Sequence, residues 1–523
     1  MLAMQGNPQA SAAHVVEDQD EVLRFLAAAS ADAAGVKRID THGAVVFLAG
    51  ENAYKIKRAV KFPFMDFSTL AKRREACEAE LRINRPNAPD IYLGVVPVMR
   101  RDGALFLGGS GEVVEWVVHM RRFDERRTLD RIAEQGGLTP VLTERTAAAI
   151  VQSQMRAPVC VGVDVVADLR GIIEGNKTSL DEMPDLFDPA RVAELTARSS
   201  ATIDRLAPIL AGRSAAGFVR RCHGDLHLRN IVLLDESPIL FDALEFDESL
   251  ATIDVLYDFA FLLMDVIERG FAFEANHLLN RYLLEWRDEQ QLAGLAAMPL
   301  FISVRAAIRA KVIAAGLAHV SGRERQVSAS AAERYFALAE QALAPVAPRL
   351  VAIGGLSGTG KSTLAARLAP GIGCMPGAVH LRSDVERKQL FGVGEYDRLP
   401  EAAYDQQSSD AVYQTLRHKA ELAIGSGYSA IVDAVHLRGD ERDALRALAS
   451  RLGVGFAGLW LEAPLSDLVA RVDQRAGDAS DARADTVALQ AERGTGAIDW
   501  QVIDAGGDRA RVLERARDIV RPD

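Results

Sequence analysis

Cysteine is scarce in this sequence. Only four cysteines occur among 523 residues, and no two of them have the spacing of a CxxC pair: Cys77, Cys160, Cys222 and Cys374. Disulfide frameworks and cysteine-ligated zinc sites need paired cysteines, so both are excluded. We expect all four to be ordinary reduced residues.

Long hydrophobic runs are also missing. Residues 1–20 lack the basic segment and apolar core of a signal peptide, and apolar runs such as residues 259–264 are far shorter than a bilayer span. We therefore expect no membrane partner and a cytoplasmic location.

The sequence has no excess of positive charge. Its formal net charge of -11 disfavours a broad nucleic-acid-binding surface. A local basic patch remains compatible with phosphate binding, and it consists of Arg121, Arg122, Arg126 and Arg127. Hydrophobic residues make up 49% and charged residues 25% of the chain, which is enough material for two or three globular cores.

The first part of the chain predicts a strand-rich lobe followed by a helical lobe. Periodicity predicts two helices, 21–29 and 68–84, and the strands 44–48, 53–57, 91–99, 105–107 and 113–120. Long helices follow from about Thr128. Two prolines, Pro345 and Pro348, precede a buried strand at 350–353, after which strands and helices alternate as in a parallel sheet. We expect domains at 21–342 and 350–523, joined by a linker at 343–349.

Residues 223–230, His-Gly-Asp-Leu-His-Leu-Arg-Asn, have the spacing of a kinase catalytic loop. Such a loop places an Asp, here Asp225, to accept the proton of the attacking hydroxyl, and an Asn five residues later, here Asn230, to bind magnesium. A short hairpin then leads to Asp242, a second magnesium ligand by position. The alternative, a buried structural Asp with a turn Asn, does not explain this order of residues.

This pattern resembles the aminoglycoside phosphotransferase and choline kinase-like branch of the protein-kinase-like fold, over about residues 21–340. Residues 53–58 and 64–69 also resemble an uncharacterised bacterial group in which such a domain is often fused to a P-loop kinase. The resemblance implies an α+β fold, ATP and Mg²⁺ as cofactors, and a hydroxyl acceptor. One departure is that the glycine-rich GxGxxG loop is missing, with only Gly50 in a hairpin.

In related kinases a strand lysine contacts the nucleotide phosphates and pairs with a helix glutamate. Lys55 and Lys57 share one face of a strand, and Lys55 is favoured because it follows an apolar pair. Glu80 is the expected partner, with Glu78 as the alternative. Asp258, inside an apolar run, is expected to anchor the catalytic loop through hydrogen bonds because an unpaired carboxylate there would be costly.

Residues 355–362, Gly-Leu-Ser-Gly-Thr-Gly-Lys-Ser, form a P-loop between an apolar strand and a helix. Glycines let backbone N–H groups wrap the phosphates, the lysine reaches the terminal phosphates, and Ser362 supplies a magnesium ligand. The expected nucleotide-binding residues are Gly355, Ser357, Gly358, Thr359, Gly360, Lys361, Ser362 and Thr363.

The sequence Arg-Ser-Asp-Val-Glu-Arg at 382–387 follows a short strand. It resembles the acceptor site of the P-loop kinases that include gluconate kinase, polynucleotide 5'-hydroxyl kinase and the zeta toxins. That resemblance implies that Asp384 activates the acceptor hydroxyl and that Arg387 binds the acceptor. Asp384 is also compatible with a helix N-cap.

Three further residues are candidates in the second domain. Asp433 ends a strand and is placed to bind magnesium or orient the acceptor, with a helix cap as the rival interpretation. Arg471 and Arg475 resemble lid arginines that neutralise the transferred phosphate, although surface helix arginines are common. Residues 478–482 are expected to form the edge of a mobile lid.

The first hypothesis is therefore a bifunctional enzyme, an α+β kinase-like domain followed by an α/β P-loop NTPase domain of AAA type with a parallel sheet. Each half transfers a phosphoryl group from ATP to a small-molecule hydroxyl. The second hypothesis is regulatory or toxin-like, with one half binding nucleotide as a sensor. The third is polynucleotide 5'-hydroxyl kinase activity in the second half.

Overall fold

The computed structural model describes residues 14–29, 37–62, 65–474 and 478–521. The chain divides into two compact units. The first consists of Met1–Arg269 and Leu300–Leu343, and the second of Gly270–Pro299 and Ala344–Asp523. Residues 270–299 thus group with the second unit, although they precede the linker in the sequence. The predicted domain boundaries themselves remain a prediction.

A six-stranded antiparallel sheet opens the first unit, with strand order β1-β2-β3-β8-β6-β7. The elements of this lobe are α1 (Asp20–Ala29), β1 (Lys37–Asp40), β2 (Ala44–Ala49), β3 (Asn52–Lys57), β4 (Lys61–Phe62), β5 (Met65–Asp66), α2 (Leu70–Asn84), β6 (Tyr92–Arg101), β7 (Ala104–Leu107) and β8 (Glu112–Arg121). The predicted hairpin is β2–β3, which turns at Gly50 with a φ of +53°. Alternate residues of these strands bury one apolar face, because successive side chains point to opposite faces of a sheet.

Helix α2 is unusual because its buried face is polar. Thr69 caps the helix by accepting a hydrogen bond from the Lys72 backbone N–H at 3.3 Å. The buried residues of the helix include Arg73, Glu80 and Asn84, which follow one another at helical spacing. Buried charges need partners, so this face has to meet charged groups of the sheet.

The helical lobe of the first unit surrounds the predicted catalytic loop. Its elements are α3 (Leu129–Glu134), α4 (Pro140–Arg156), α5 (Val165–Asp181), α6 (Pro189–Ala215), β9 (Val219–Arg221), β10 (Ile231–Leu234), β11 (Ser237–Leu240), α7 (Glu248–Ala251), β12 (Thr252–Asp254) and α8 (Val255–Glu268). The catalytic loop lies between β9 and β10. Helix α8 is buried from Val255 to Val266, which explains its lack of amphipathic spacing.

Four more helices precede the P-loop. Helices α9 (Ala272–Trp286) and α10 (Glu289–Gly294) fall in the second unit, whereas α11 (Met298–Gly316) and α12 (Gly322–Ala342) fall almost entirely in the first. Among the described residues, one stretch, 289–319, is long and apolar enough to cross a membrane. Most of it is buried in the protein (78% of the window), as expected of core helices.

The second unit contains a five-stranded parallel sheet with strand order β14-β15-β13-β16-β17. Its elements are β13 (Arg349–Gly354), α13 (Lys361–Leu368), β14 (Val379–Arg382), α14 (Ser383–Leu390), α15 (Gln406–Gly425), β15 (Ala430–Asp433), α16 (Gly439–Leu452), β16 (Gly455–Glu462), α17 (Leu465–Asp473), α18 (Ala484–Arg493), β17 (Gln501–Asp504) and α19 (Arg509–Val520). Helices cover the sheet, so β13 and β15 are buried along almost their whole length. This topology, with the kinase-like first unit, confirms the predicted fold class.

Arg73 offers a test of how the polar face of α2 is held. Its guanidinium Nε donates to both carboxylate oxygens of Glu115 on β8, at 3.0 and 2.8 Å, and both side chains are 1% exposed. We expect Arg73→Ala to lower the free energy of unfolding of the first unit by about 3–5 kcal/mol, because it leaves a buried carboxylate unpaired. Urea denaturation followed by circular dichroism measures this loss.

The matched control is Arg131→Ala, which removes an exposed pair with Glu134 at 2.8 Å. This control should cost no more than about 0.5 kcal/mol. Similar small losses for both variants would contradict the role of Arg73.

Candidate active sites

Strand β3 presents two lysines to one buried glutamate of α2. Lys55 and Lys57 are two residues apart, so their side chains share a face of the strand. Lys55 Nζ lies 2.7 Å from Glu80 Oε1, and Lys57 Nζ lies 2.5 Å from Glu80 Oε2. Glu78 is instead exposed and pairs with Arg74 at 2.8 Å. The structure therefore brings Glu80, and not Glu78, to the lysines.

The two lysines differ in their second partner. Lys55 Nζ donates to Asp242 Oδ1 at 2.7 Å, whereas Lys57 pairs with Glu245. Lys55 is thus the lysine beside the carboxylate predicted to bind magnesium. Glu245 was missed from the sequence, and its signal is its position three residues after Asp242 in the sequence Asp-Ala-Leu-Glu.

Burial alone would neutralise these groups, but they hold one another ionised. Burial lowers the pKa of Lys55, yet Asp242 and Glu80 together raise it well above its ordinary value. Burial raises the pKa of Glu80 and of Asp242, yet the lysine charges hold both values below the ordinary ones. The charges are therefore stable as a set, and the loss of one member leaves another uncompensated.

Asn230 orients the predicted catalytic base. Its Nδ2 donates to the backbone oxygen of Asp225 at 2.9 Å and to Asp225 Oδ2 at 3.1 Å. Asn230 is fully buried, and its Oδ1 has no hydrogen-bond partner in the described part of the chain. A buried amide oxygen without a partner is costly, and oxygen is the ligand that Mg²⁺ prefers. Asn230 and Asp242 therefore fit a magnesium ion in this site.

Two carboxylates of helix α8 accept hydrogen bonds from the backbone of the catalytic loop. Asp258 Oδ1 accepts a hydrogen bond from the Gly224 backbone N–H at 2.8 Å, which is the anchoring role expected of it. Asp265 Oδ2 accepts one from the Leu228 N–H at 3.0 Å. Asp265 was missed, although it lies seven residues after Asp258 and thus on the same helix face. The backbone of the loop is fixed before any ligand binds.

The P-loop joins β13 to α13 and depends on glycines. Gly355 has a φ of +133° and Gly358 a φ of +88°, backbone conformations that other residues rarely adopt. A Cβ on Gly355 would lie 2.4 Å from the Leu461 carbonyl oxygen, and one on Gly358 would lie 2.7 Å from that of Leu468. The loop thus packs against β16 and α17 at distances that exclude a side chain.

One contact to the P-loop was not foreseen. The Ser357 backbone N–H donates to Gln490 Oε1 at 2.9 Å, and Gln490 Nε2 donates to Ser357 Oγ at 3.1 Å. Gln490 lies on α18, so this helix is fastened to the loop at two atoms. No sequence motif marks this glutamine.

A cavity of about 1870 Å³ surrounds the P-loop. Most of the predicted residues of the second domain line it, namely Ser357, Gly358, Thr359, Gly360, Lys361, Ser362, Thr363, Asp384, Arg387, Asp433 and Arg471. Gly355 does not line the cavity and acts through the shape of the loop. The structure thus brings the predicted nucleotide-binding and acceptor residues to one cavity.

Asp384 is not the N-cap of α14. The helix begins at Ser383 and its N-cap is Arg382, which places Asp384 inside the first turn. Burial raises the pKa of Asp384, and the neighbouring charge of Asp433 adds to the rise. A carboxylate with a raised pKa that lines a cavity is suited to act as a general base.

Asp433 also caps no helix, because α16 begins only at Gly439. His380 Nε2 lies 3.3 Å from Asp433 Oδ2. Burial raises the pKa of Asp433, but this hydrogen bond and the charges of Lys361 and Arg382 lower it to about 2. Asp433 therefore stays a carboxylate at neutral pH, as a magnesium ligand must. His380 was missed because nothing in its local sequence points to the next strand.

The predicted arginines have different surroundings. Arg387 is buried, with Nη1 donating to the Ala403 carbonyl at 2.6 Å. Arg471 Nη2 donates to the Ala505 carbonyl at 3.0 Å, and Nη1 lies 3.5 Å from the Gly358 carbonyl oxygen. Arg475 lies outside the described residues.

Four of the residues expected as a lid edge line the cavity: Asp478, Ser480, Asp481 and Ala482. Asp478 accepts a hydrogen bond from Arg382 Nη2 at 2.9 Å. Asp481 accepts from Lys388 Nζ at 2.9 Å and from the Tyr404 hydroxyl at 2.8 Å. This edge is thus fastened to α14 and to the loop that follows it.

Wherever the structure describes the chain, no group of three or more His, Cys, Asp or Glu side chains is placed to hold a metal ion. The candidate magnesium ligands are instead one Asn, one Ser and two Asp. Mg²⁺ in kinases takes few protein ligands and shares the others with phosphate and water. The donor sets of both sites fit that pattern.

Comparison with known proteins identifies both parts of the chain. The family described as the phosphotransferase enzyme family matches residues 168–295, and the family described as the AAA domain matches residues 350–495. These matches support a phosphotransferase with two kinase-type domains.

The chain is also similar to solved structures, at sequence identities of 16% and 20%. A choline/ethanolamine kinase family protein from Mesorhizobium loti is 16% identical, covers 62% of this chain and 94% of its own, and has a TM-score of 0.37. A gluconokinase from Sinorhizobium meliloti is 20% identical, covers 33% of this chain and 91% of its own, and has a TM-score of 0.24.

Relatives also extend over both units at once. Uncharacterised proteins of Mycobacterium tuberculosis and Mycobacterium bovis are 30% identical over 493 residues, which is 92% of this chain and 95% of theirs. The chain therefore belongs to the same family as these mycobacterial proteins, and it joins a domain of the phosphotransferase enzyme family to a P-loop kinase domain of the AAA type.

Proposed function

We propose that the chain is an ATP-dependent kinase with two transfer sites, each of which moves the γ-phosphoryl group of ATP to a hydroxyl of a small-molecule acceptor. One observation carries the proposal: in each unit the lysine predicted to bind phosphate shares a site with the carboxylates predicted to act in transfer. Lys55 contacts Asp242 at 2.7 Å. Lys361 lines the same cavity as Asp384 and Asp433.

In the first site, Asp225 is the general base. The acceptor oxygen forms a bond to the γ-phosphorus while the bond from that phosphorus to the bridging oxygen breaks, and ADP leaves with the electron pair. The acceptor proton moves to the Asp225 carboxylate, which Asn230 holds through Nδ2. Lys55 binds the phosphates and Glu80 keeps it in place.

In the second site, Asp384 takes the acceptor proton and Arg387 binds the acceptor. The P-loop N–H groups and Lys361 bind the phosphates, and Arg471, beside Gly358, faces the charge that develops during transfer. The two transfers have the same balance of bonds and protons.

Mg²⁺ would be held by Asn230 and Asp242 in one site and by Ser362 and Asp433 in the other, where it would neutralise charge on the phosphates.

The proposal includes a cytoplasmic location, supported by the four unpaired cysteines. The acceptors are expected to be small molecules because the chain is acidic, with a net charge of -11.

Two base variants test whether both sites transfer phosphate. We expect each substitution, Asp225→Asn and Asp384→Asn, to lower the rate of formation of a different labelled product by at least about 100-fold, because each removes a general base. The measurement uses labelled ATP, a pool of metabolites and the full-length protein. Asp204→Asn, which changes an exposed side chain paired with Arg170, is the control and should change neither product.

The outcomes separate the alternative functions. Loss of both products from one substitution would favour a regulatory relation between the halves over two independent sites. Transfer to a 5'-hydroxyl oligonucleotide, lost in Asp384→Asn, would replace the small-molecule acceptor of the second site with a nucleic acid.

Lys55 and Lys57 form a matched pair on one strand. We expect Lys55→Met to lower Asp225-dependent turnover by about 100-fold, as when a charge-stabilising donor is removed. Lys57→Met should mainly lower the melting temperature, because it leaves Glu245 buried without its lysine partner. Steady-state kinetics and thermal denaturation measure the two effects, and the reverse order of turnover losses would assign the phosphate-binding role to Lys57.

The raised pKa of Asp384 predicts the pH dependence of the second site. The base has to be ionised, so Lys361-dependent kcat/KM should fall on acidification with a pKa above 3.8, the ordinary value for Asp. A folded-state pKa above the unfolded one also means that ionised Asp384 destabilises the fold at neutral pH. Asp384→Asn should therefore raise the melting temperature at pH 7 while abolishing activity. A lower melting temperature would indicate a structural role instead.

A further inference from the structure

Strand β14 lies at the edge of the parallel sheet, and among the described strands only β15 pairs with it. An edge strand leaves every second backbone N–H and C=O without a partner strand. On the outer side of β14 these groups include the Ala378 carbonyl and the His380 N–H. They need other partners if they are buried.

Helix α9 supplies those partners through two asparagines. Asn280 Oδ1 accepts a hydrogen bond from the His380 backbone N–H at 2.7 Å, and Asn280 Nδ2 lies 3.3 Å from the Ala378 carbonyl oxygen. Asn276, which is 3% exposed, donates to the same carbonyl at 3.0 Å. A carboxamide carries the same donor and acceptor as a peptide group, so Asn280 takes the place of a neighbouring strand.

Asn280 is itself held in one orientation. Its Nδ2 also lies 3.0 Å from the Asn276 carbonyl oxygen and 3.1 Å from Asn276 Oδ1, one helical turn earlier. The His380 N–H can only donate, which fixes the oxygen of the Asn280 amide on that side. The contact is therefore specific in direction as well as in position.

The residue that Asn280 holds also reaches the candidate active site. The His380 ring contacts Asp433 at 3.3 Å, as described above. Two residues later, Arg382 bonds Asp478 of the lid edge at 2.9 Å, and Asp384 follows at the start of α14. Strand β14 thus connects the Asn280 amide to the two carboxylates of the cavity.

Two further contacts hold α9 in the second unit. Arg281 forms an ion pair with Glu395, and both side chains are mostly buried. The Arg367 guanidinium of α13, the helix that follows the P-loop, lies 5.6 Å from the centre of the Phe273 ring. Helix α9 therefore contacts both the edge strand and the P-loop helix.

We propose that Asn280 is a positioning residue of the P-loop kinase site, which it serves by fixing β14 and, through His380, the orientation of Asp433. This inference rests on the proposed kinase function of the second site. It means that the P-loop site is completed by residues 270–299. Most of these, residues 270–295, lie within the segment that matches the phosphotransferase enzyme family.

The test compares Asn280→Ala with wild type as full-length proteins. We expect kcat of Lys361-dependent turnover to fall by about 10-fold, the usual effect of removing a group that orients a metal ligand. The KM for ATP should change by less than about 2-fold because the P-loop itself is untouched. Asp225-dependent turnover should stay at the wild-type value.

The control is Glu289→Gln, which removes the charge of an exposed side chain in the same segment, 3.0 Å from His418, and should leave kcat unchanged. Asn280→Asp keeps the acceptor for the His380 N–H but replaces the donor to the Ala378 and Asn276 carbonyls with an oxygen, so its kcat should also lie below wild type. An unchanged kcat in Asn280→Ala would overturn the proposal, whether or not the melting temperature falls.

A second measurement separates this inference from the proposed function. If wild type shows no Lys361-dependent turnover, the kinase proposal for the second site fails. Hydrogen exchange of the His380 amide then decides whether Asn280 fixes β14. Exchange about 5-fold faster in Asn280→Ala than in wild type would support it, since a hydrogen bond contributes about 1 kcal/mol. Equal rates would refute it.

Discussion

The contact of one buried carboxylate with two lysines is the interaction on which the first unit depends. Glu80 is fully buried and binds Lys55 and Lys57 through separate oxygens. A shift of α2 away from β3 would leave buried charges unpaired, at a cost of several kcal/mol for each ion. The Arg73–Glu115 pair lies two turns earlier on the same helix and adds a second fixed point. Helix α2 is thus placed by charge as much as by apolar packing.

In the function proposed above, both units bind phosphate, and the second unit does so with different chemical groups. Its P-loop uses backbone N–H groups, and their directions depend on glycine conformations such as that of Gly358. In the function proposed above, Asp384 and Arg387 supply the side chains that contact the acceptor. The first unit instead brings its candidate site residues together from separate elements, and so depends on contacts between residues that are distant in the sequence.

Local signals explain which features were predictable from the sequence. The β2–β3 hairpin, the P-loop and the order of Asp225, Asn230 and Asp242 are each encoded within a short stretch. The choice between Lys55 and Lys57 is not encoded locally, because it depends on Asp242. That residue lies 187 residues from Lys55 in the sequence. Gln490 is 133 residues from Ser357, and its role is equally invisible locally. The spacing of α9 indicates a buried face but does not identify the strand that covers it.

The second unit is assembled from two separate pieces of chain, Gly270–Pro299 and Ala344–Asp523. A ribosome makes the first piece well before the second, since synthesis runs from the N-terminus. During that interval the asparagine amides of α9 and the apolar residues beside them have no strand to bind. The nascent chain must carry this helix unpartnered until residues 378–380 emerge. The time needed to translate the chain from α10 to β14 therefore sets how long the surface of α9 stays without its partner strand.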